Sequence, residues 1–554
     1  MHLAPSTAWA WLIACAVVIL FFPLAAQFGN LKGKLSSFRT WVWAIALLGI
    51  VTAGFMPFTS DTDIATFEVQ PFIFFITGTL LGVLFLGEFH RMNTQKKLKH
   101  PQRVHAERRI RYSKAVEQLA YPNPAVRASA LSTLAGLVDE WLADEQLSVE
   151  ARQKEGQIIV NALCAYVRSP FARAFKAEAF ESDTPPANYA GDFATDLAAF
   201  RGEQDVRRSV FVEMSKRSST LAENEKGEVA VVPGAWSGFE FDFSRAVVFY
   251  PLDGLTIENA DFSAARFCNG SDFSGATFAG TVDFSRATFG EIAGFGDARF
   301  AGDANFTRAV FDRDARFSDV TFMGTANFGN ARFAGDVVFR WVAFNANVDF
   351  REASFGRDAD FHDTAFAADA GFSGASFEGN TGFFRSSFGG NASFFRTDFA
   401  GVTEFREAVF EGHAGFNAAT FYKDAHFSRA TFEGLAGFRD AAFESGADFA
   451  GASFVQTADF CEVSFTKSPP LFAAKNVESG EVYRARFVAL SAGSGSTGQE
   501  AHNFAVCEGS QPIPLGTAEL NGVGYRIPVG AVLFDPSSWD ERQKEYTRVS
   551  EPAQ

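Results

Sequence analysis

The chain has 554 residues, of which 66 are Phe against only 8 Trp and 9 Tyr, and a net charge of −16 from 49 basic and 65 acidic residues. That length implies roughly three or four domains, and an apolar share of 47% excludes a mostly disordered chain. The acidic balance argues against nucleic acid as the main partner, because phosphate contacts need a basic face.

Three apolar stretches open the chain, Ala8 to Gln27, Trp41 to Phe58 and Val69 to Gly87, each free of charged residues and each near the ~20 residues that cross a bilayer. They predict three transmembrane helices, residues 1–91. Lys32, Lys34 and Arg39 in the first loop, Asp61, Asp63 and Glu68 in the second, and Arg91, Lys96, Lys97, Lys99 and Arg103 after the third agree with a multi-pass inner-membrane protein whose N-terminus is outside and whose bulk is cytoplasmic. The bilayer is then one partner. The basic run Arg91 to Lys114 reads as a stop-transfer flank, or as a headgroup contact at ~1 kcal/mol per charge.

Residues 92–235 read as a helical connector. Val126, Leu131, Leu134, Val138, Trp141 and Leu142 form one stripe, and Ile159, Leu163, Tyr166 and Val167 a second. Helical spacing continues to about Glu223. Asn123-Pro124 supplies an N-cap and a first-turn proline, and Glu181 to Gly191 reads as a loop. Cys164, in an apolar run, reads as a small buried hydrophobe.

From Phe262 a Phe recurs every eleven residues, through Phe273, Phe284, Phe295 and Phe306 to Phe460. A second series with the same period starts at Phe267 and runs through Phe278, Phe289, Phe300 and Phe311 to Phe465. Each has nineteen members, and two residues before every one stands Ala, Ser, Thr or Val. The unit is small-x-Phe, spaced alternately five and six. Neither a helix nor a long strand has that period. A solenoid does: short straight faces point Phe and the small residue inward, and successive coils pair as parallel strands about 4.8 Å apart. Four faces take 22 residues, so the ladder makes about nine coils and a rod of roughly 45 Å. Burying each Phe contributes roughly 1.5–3 kcal/mol. Nine of the eighteen long links carry Gly two after the Phe, as at Gly280, Gly302, Gly324 and Gly335, and these are expected to take a positive φ at a widened corner. Phe239 to Phe243, Leu252 and Ile257 lead into the first coil, and Ser468-Pro469-Pro470 ends the ladder, leaving residues 471–554 as a cap or small module.

This pattern, from Asn259 to Phe465, resembles the pentapeptide-repeat family, with one extra residue in every second unit. The resemblance implies a right-handed quadrilateral parallel β-helix over residues 236–470. Arg111 to Leu119 and Val126 to Leu131 are similar to a HEAT-like helical module that bacterial membrane-anchored members carry between anchor and repeats. The expected fold is therefore mixed: transmembrane α-helices, a small α-helical domain, then the β-helix.

Outward positions from Phe262 to Phe465 carry 16 basic and 27 acidic residues, a net of −11. Some family members resemble an acidic duplex and occupy the DNA groove of type II topoisomerases, an alternative that this charge permits. Phe384 and Phe395 stand outside as surface-contact candidates, eleven residues apart and so on opposite sides of a 22-residue coil. Exposed solenoid ends must be capped or joined to a partner chain, and a homodimer would join them. No catalytic constellation appears. His362, His413 and His426 read as solvated surface residues, none with a second ligand at metal spacing. Gly493 to Gly498 matches GxGxxG but reads as a Gly/Ser linker. The cysteines, Cys15, Cys164, Cys268, Cys461 and Cys507, are widely separated with no CxxC, which supports neither a disulfide framework nor a thiolate zinc site. No cofactor, catalytic residue or metal ligand is expected, and the reading is a non-enzymatic scaffold for an unidentified protein partner.

Overall fold

The computed structural model describes residues 69–223, 229–268, 272–475, 480–490, 502–507, 513–542 and 545–554. The chain divides into two compact units, Met1–Ile110 and Arg111–Gln554. Among the described residues no helix is long and apolar enough to cross a membrane. This corrects the expected fold at its N-terminal end. The third apolar stretch does not end as a span: it is the beginning of one 50-residue helix, α1 (Val69–Gln118), and that helix continues through the charged sequence Glu88 to Lys114. The first two stretches lie outside the described residues. What stands is a β-solenoid with a small helical N-terminal part.

Three helices follow α1: α2 (Pro124–Leu142), α3 (Val149–Arg168) and α4 (Phe193–Ser215). The Asn123 side chain accepts from the Ala125 N–H at 2.9 Å, the cap that the Asn-Pro pair predicted. Leu131, Leu134, Val138 and Trp141 of α2 are buried, as are Ile159, Leu163 and Val167 of α3. Cys164 is buried and its thiol is pushed up to about 12 by desolvation, so it is inert. Where helical spacing was expected to reach Glu223, the chain instead forms a hairpin of β1 (Thr220–Glu223) and β2 (Val229–Val232).

Thirty-eight ladder Phe are buried, and the coil closes after 22 residues: Phe267 pairs in register with Phe289, and Phe289 with Phe311. Two-residue strands build four parallel ladders, one per face, of 11, 8, 12 and 12 strands. The rings of successive coils stack nearly parallel, with centroids 4.6 Å apart for Phe267 and Phe289, 4.5 Å for Phe278 and Phe300, 4.9 Å for Phe273 and Phe295, and 5.2 Å for Phe262 and Phe284. Rings from opposite faces meet edge to face, as at Phe284 and Phe295, 6.0 Å. Offset stacks along the axis combined with T-shaped contacts across it satisfy the ring quadrupole in both directions.

The corners differ from expectation. None of Gly280, Gly302, Gly324 or Gly335 has a positive φ. Left-handed backbone sits instead in the short links, two residues after each Phe of the first series, and is borne mostly by other residues: Arg286 (58°), Asp297 (59°), Arg308 (59°), Trp341 (58°) and Glu352 (56°) among them. The long-link glycines serve close approach. A Cβ on Gly302 would lie 2.6 Å from the Gly280 carbonyl carbon, and one on Gly324 2.6 Å from that of Gly302, so each corner rests on the backbone of the one before. The next residue often bonds along the axis: the Asp303 carboxylate accepts from Thr325 N–H at 2.8 Å, and Asn391 from His413 N–H at 3.1 Å.

Both ends of the solenoid are covered. At the N-terminal end, the Phe211 ring of α4 lies tilted against Phe243 at 4.7 Å and near-parallel to Phe262 at 6.2 Å, and Phe239 packs so closely on α3 that a Cβ on Gly156 would lie 2.6 Å from its ring. At the other end the ladder does not stop at Pro470. Phe472, Phe487 and Phe504 form one irregular coil, lying 5.5, 5.0 and 5.6 Å from Phe449, Phe454 and Phe460. A hairpin, Leu515–Leu520 with Val523–Pro528, and the strand Val532–Phe534 follow it. Cys461 and Cys507 form a disulfide, against the expectation from spacing alone. It pins the strand Phe504–Ala505 to the last regular coil.

Candidate interaction surface on the turn edges

The short links form two columns on opposite faces of the rod. In each link the residue after Phe and the left-handed residue after that point away from the core, so these positions carry whatever chemistry the rod presents. On one column, successive coils place Arg340 and Trp341, His362 and Asp363, Phe384 and Arg385, then Arg406 and Glu407. The Arg340 guanidinium lies 5.5 Å from the Trp341 ring, and that of Arg385 lies 4.6 Å from the Phe384 ring. Trp341 is 55% exposed, Phe384 half-buried. The His362 ring meets Phe384 edge-on at 5.8 Å.

His362 is held in place, which its reading as a freely solvated residue did not anticipate. Its Nδ1 bonds the Asp360 carboxylate, its backbone N–H donates to the same group at 3.0 Å, and its Nε2 lies 4.0 Å from Glu404. Arg340 closes the set on Asp360 at 2.5 Å. Gly382, one coil on from Asp360, makes the room: a Cβ there would lie 2.8 Å from the imidazole. The Asp360 hydrogen bond raises the His362 pKa against the cost of partial burial. Further along, Glu407 bridges Arg385 at 3.1 Å and Arg429 at 2.9 Å.

The opposite column carries Phe395, 43% exposed, with Arg396 4.9 Å from its ring. The two candidate contact residues therefore stand on different faces, Phe384 within an aromatic and basic cluster, Phe395 apart from it. Trp341 and Arg340 were not singled out from sequence, and His362 was read there only as a solvated surface residue. The signal lay in the period: 340, 362, 384 and 406 are successive multiples of 22 apart, so all four share one column.

His413 occupies a corner, where its Nδ1 accepts from the Leu435 N–H at 3.1 Å, and His426 is an outward, half-buried residue. The GxGxxG match lies outside the described residues. Among the described residues, no group of three His, Cys, Asp or Glu is arranged to hold a metal ion.

Residues 284–332, 318–365 and 394–442 match the family model for pentapeptide repeats, in nine copies. No curated protein and no solved structure matches the chain. Solenoids of this family are generally non-enzymatic and generally serve protein interaction. The closed coil of small-x-Phe units and this match together identify the solenoid as one built of pentapeptide repeats.

Proposed function

We propose that this chain is a non-enzymatic scaffold that binds a protein partner through the turn column of Arg340, Trp341, His362, Phe384 and Arg385. The observation that carries the reading is an exposed Trp backed by Arg, with a second Arg–aromatic pair two coils away. Trp and Arg are the residues most enriched where protein interfaces concentrate their energy, and the stacked core beneath holds them with little ordering cost on binding. The test is proximity crosslinking in cells with the full chain and with Trp341→Ser/Phe384→Ser. Loss of specific crosslinked proteins in the variant, with Phe395→Ser unchanged, is expected. An identical crosslinked set in all three would remove the reading.

Mimicry of duplex DNA is the weaker alternative. One face does carry Asp261, Asp283, Asn305, Asn327 and Asp349 in consecutive coils. Their side chains are turned back, however, accepting from backbone N–H groups two residues on at 2.7–3.0 Å. The net −11 of the ladder over roughly 45 Å is about one charge per 4 Å, against one per ~1.7 Å in the duplex. Inhibition of topoisomerase supercoiling by the full chain would revive it.

A further inference from the structure

The column of short links that carries Phe395 holds nine left-handed residues at 22-residue steps, from Arg286 to Glu462, with φ between 53° and 70°. Each coil is bonded to the next there, as Arg286 N–H to the Thr307 carbonyl at 2.9 Å and Asp440 N–H to the Cys461 carbonyl at 3.1 Å. One shared conformation on stacked coils sends these side chains out in line. Their charges are ordered. Arg286 and Arg308 come first, Glu352 and Arg396 flank Gly374 in the middle, and Asp440 and Glu462 come last. All six charged residues are exposed, and Asn330 and Ala418 between them are neutral. Read backwards about Gly374, the order is unchanged and every sign is reversed: 286 and 462, 308 and 440, and 352 and 396 are equidistant from 374.

Within one chain these charges are crowded rather than satisfied. Among the described residues Arg286, Arg308 and Glu352 have no ion-pair partner. At the far end Glu462 titrates above its ordinary value, because Asp440 one coil away shares a hydrogen bond with it and adds a like charge. Like charges on neighbouring strands destabilise a sheet, so both ends of the column call for opposite charge from outside.

We infer that two copies of this chain associate side by side and antiparallel along this column, about a two-fold axis through Gly374. Arg286 then meets the second copy's Glu462, Arg308 its Asp440 and Glu352 its Arg396, and the axis repeats each pair. Asn330 faces Ala418, so no like charges meet. Gly374 stands where the two backbones come nearest, and a Cβ there would touch only the Glu352 side chain, at 3.6 Å. Phe395, one coil from the axis, faces the second copy's Arg351, whose charge its own Asp349 already holds at 2.6 Å. The opposite column lacks this order: reversed about its midpoint, Asp363, it sets Asp319 against Glu407. The antisymmetry therefore selects a second copy over an unrelated acidic or basic surface, and an isologous contact of this kind closes at two chains. It is a lateral pair, not the end-to-end one that open solenoid ends would need. Eight coil steps make a contact about 38 Å long. One corner wide, roughly 10 Å, it falls below the ~800 Å² per partner of a standard interface, so the pair should dissociate on dilution and in salt. The inference goes beyond the scaffold reading and uses none of its residues, which face outward on the opposite column of each copy.

The test uses the full chain at low salt. Sedimentation should give a mass rising toward twice the 60.3 kDa of one chain at concentrations up to ~100 μM. Arg286→Glu/Arg308→Glu and, separately, Asp440→Arg/Glu462→Arg should each stay at the single-chain mass with an unchanged circular dichroism spectrum. Mixed together, the two variants should regain the doubled mass, since each then offers the other opposite charge at both ends. Gly374→Cys, on the axis, should give a reducible dimer with diamide, and Gly275→Cys, in the opposite column, should not. Single-chain mass for the parent protein throughout, a mixture that stays at single-chain mass, or equal crosslinking by the two cysteine variants would overturn the inference.

Discussion

The corners of the rod yield a paired test with opposite signs. Gly302 rests on the preceding corner with ordinary φ, and a Cβ would meet three backbone atoms of Gly280 and Thr281 at 2.6–2.8 Å, where ordinary contact begins at 3.4 Å. Backbone cannot rotate aside as a side chain can, so Gly302→Ala must push two coils apart and strain the ladder bonds on either side. Overpacking of that kind costs about 1–3 kcal/mol. Arg308, six residues on, holds φ 59° in a short link. Replacing it by Gly removes about 1–2 kcal/mol of left-handed strain and adds about 0.4–1 kcal/mol of unfolded-state entropy. The net change lies between none and about 1.5 kcal/mol of stabilisation. Urea unfolding followed by tryptophan fluorescence and circular dichroism measures both, the midpoint falling for Gly302→Ala and holding or rising for Arg308→Gly. A midpoint lowered more by Arg308→Gly than by Gly302→Ala would refute the assignment of the two kinds of corner.

Three further outcomes are expected. Phe333→Ala removes a ring stacked 4.7 Å from Phe311 and 5.0 Å from Phe355, and should cost about 3–5 kcal/mol in the same assay. Reduction of the Cys461–Cys507 bridge, or Cys461→Ser, opens a loop with a sequence separation of 46 and should cost about 4 kcal/mol on the chain-entropy account. Hydrogen exchange should then rise first at Phe504 and Ala505, and a parent chain whose Cys461 and Cys507 are both alkylated without reductant would contradict the bridge. His362 titrates above its ordinary value because Asp360 bonds the charged ring. A raised folded pKa means that its stabilising contribution is full below the unfolded value and is lost as pH rises through the folded one. NMR titration of the ring should show the raised pKa, and Asp360→Asn should lower it.

The Phe ladder was legible because its side chain does only one thing: it fills a layer of fixed thickness, so a core requirement repeats visibly in the chain. The 22-residue closure followed from the five-six alternation. The corners were misread because glycine has two uses, positive φ and close approach, and sequence alone does not separate them. It took the stacked carbonyls of Gly280 and Gly302 to do so. The apolar stretch at Val69 had the composition of a span, but helix propensity carries it onward into charged sequence. The disulfide escaped notice because Cys461 belongs to the regular ladder and Cys507 to an irregular coil, whose return path no periodicity encodes. The strands of the hairpin are four residues each, too short for alternation to show. The Trp341–His362–Phe384 column was written in the sequence, but only when read in steps of 22.

Because every layer of the rod is nearly interchangeable with the next, sliding the sequence along itself by one full circuit would rebuild almost the same interior. Nothing inside the ladder counts its own layers. That task falls to the two plugs, Phe211 with α4 at one mouth and the Phe472–Phe487–Phe504 closure at the other, which accept a single alignment and so give a self-similar polymer a definite length. Whole circuits could thus be gained or lost between such stops with little effect on the core, moving the outer turn residues past one another in steps of about 4.8 Å.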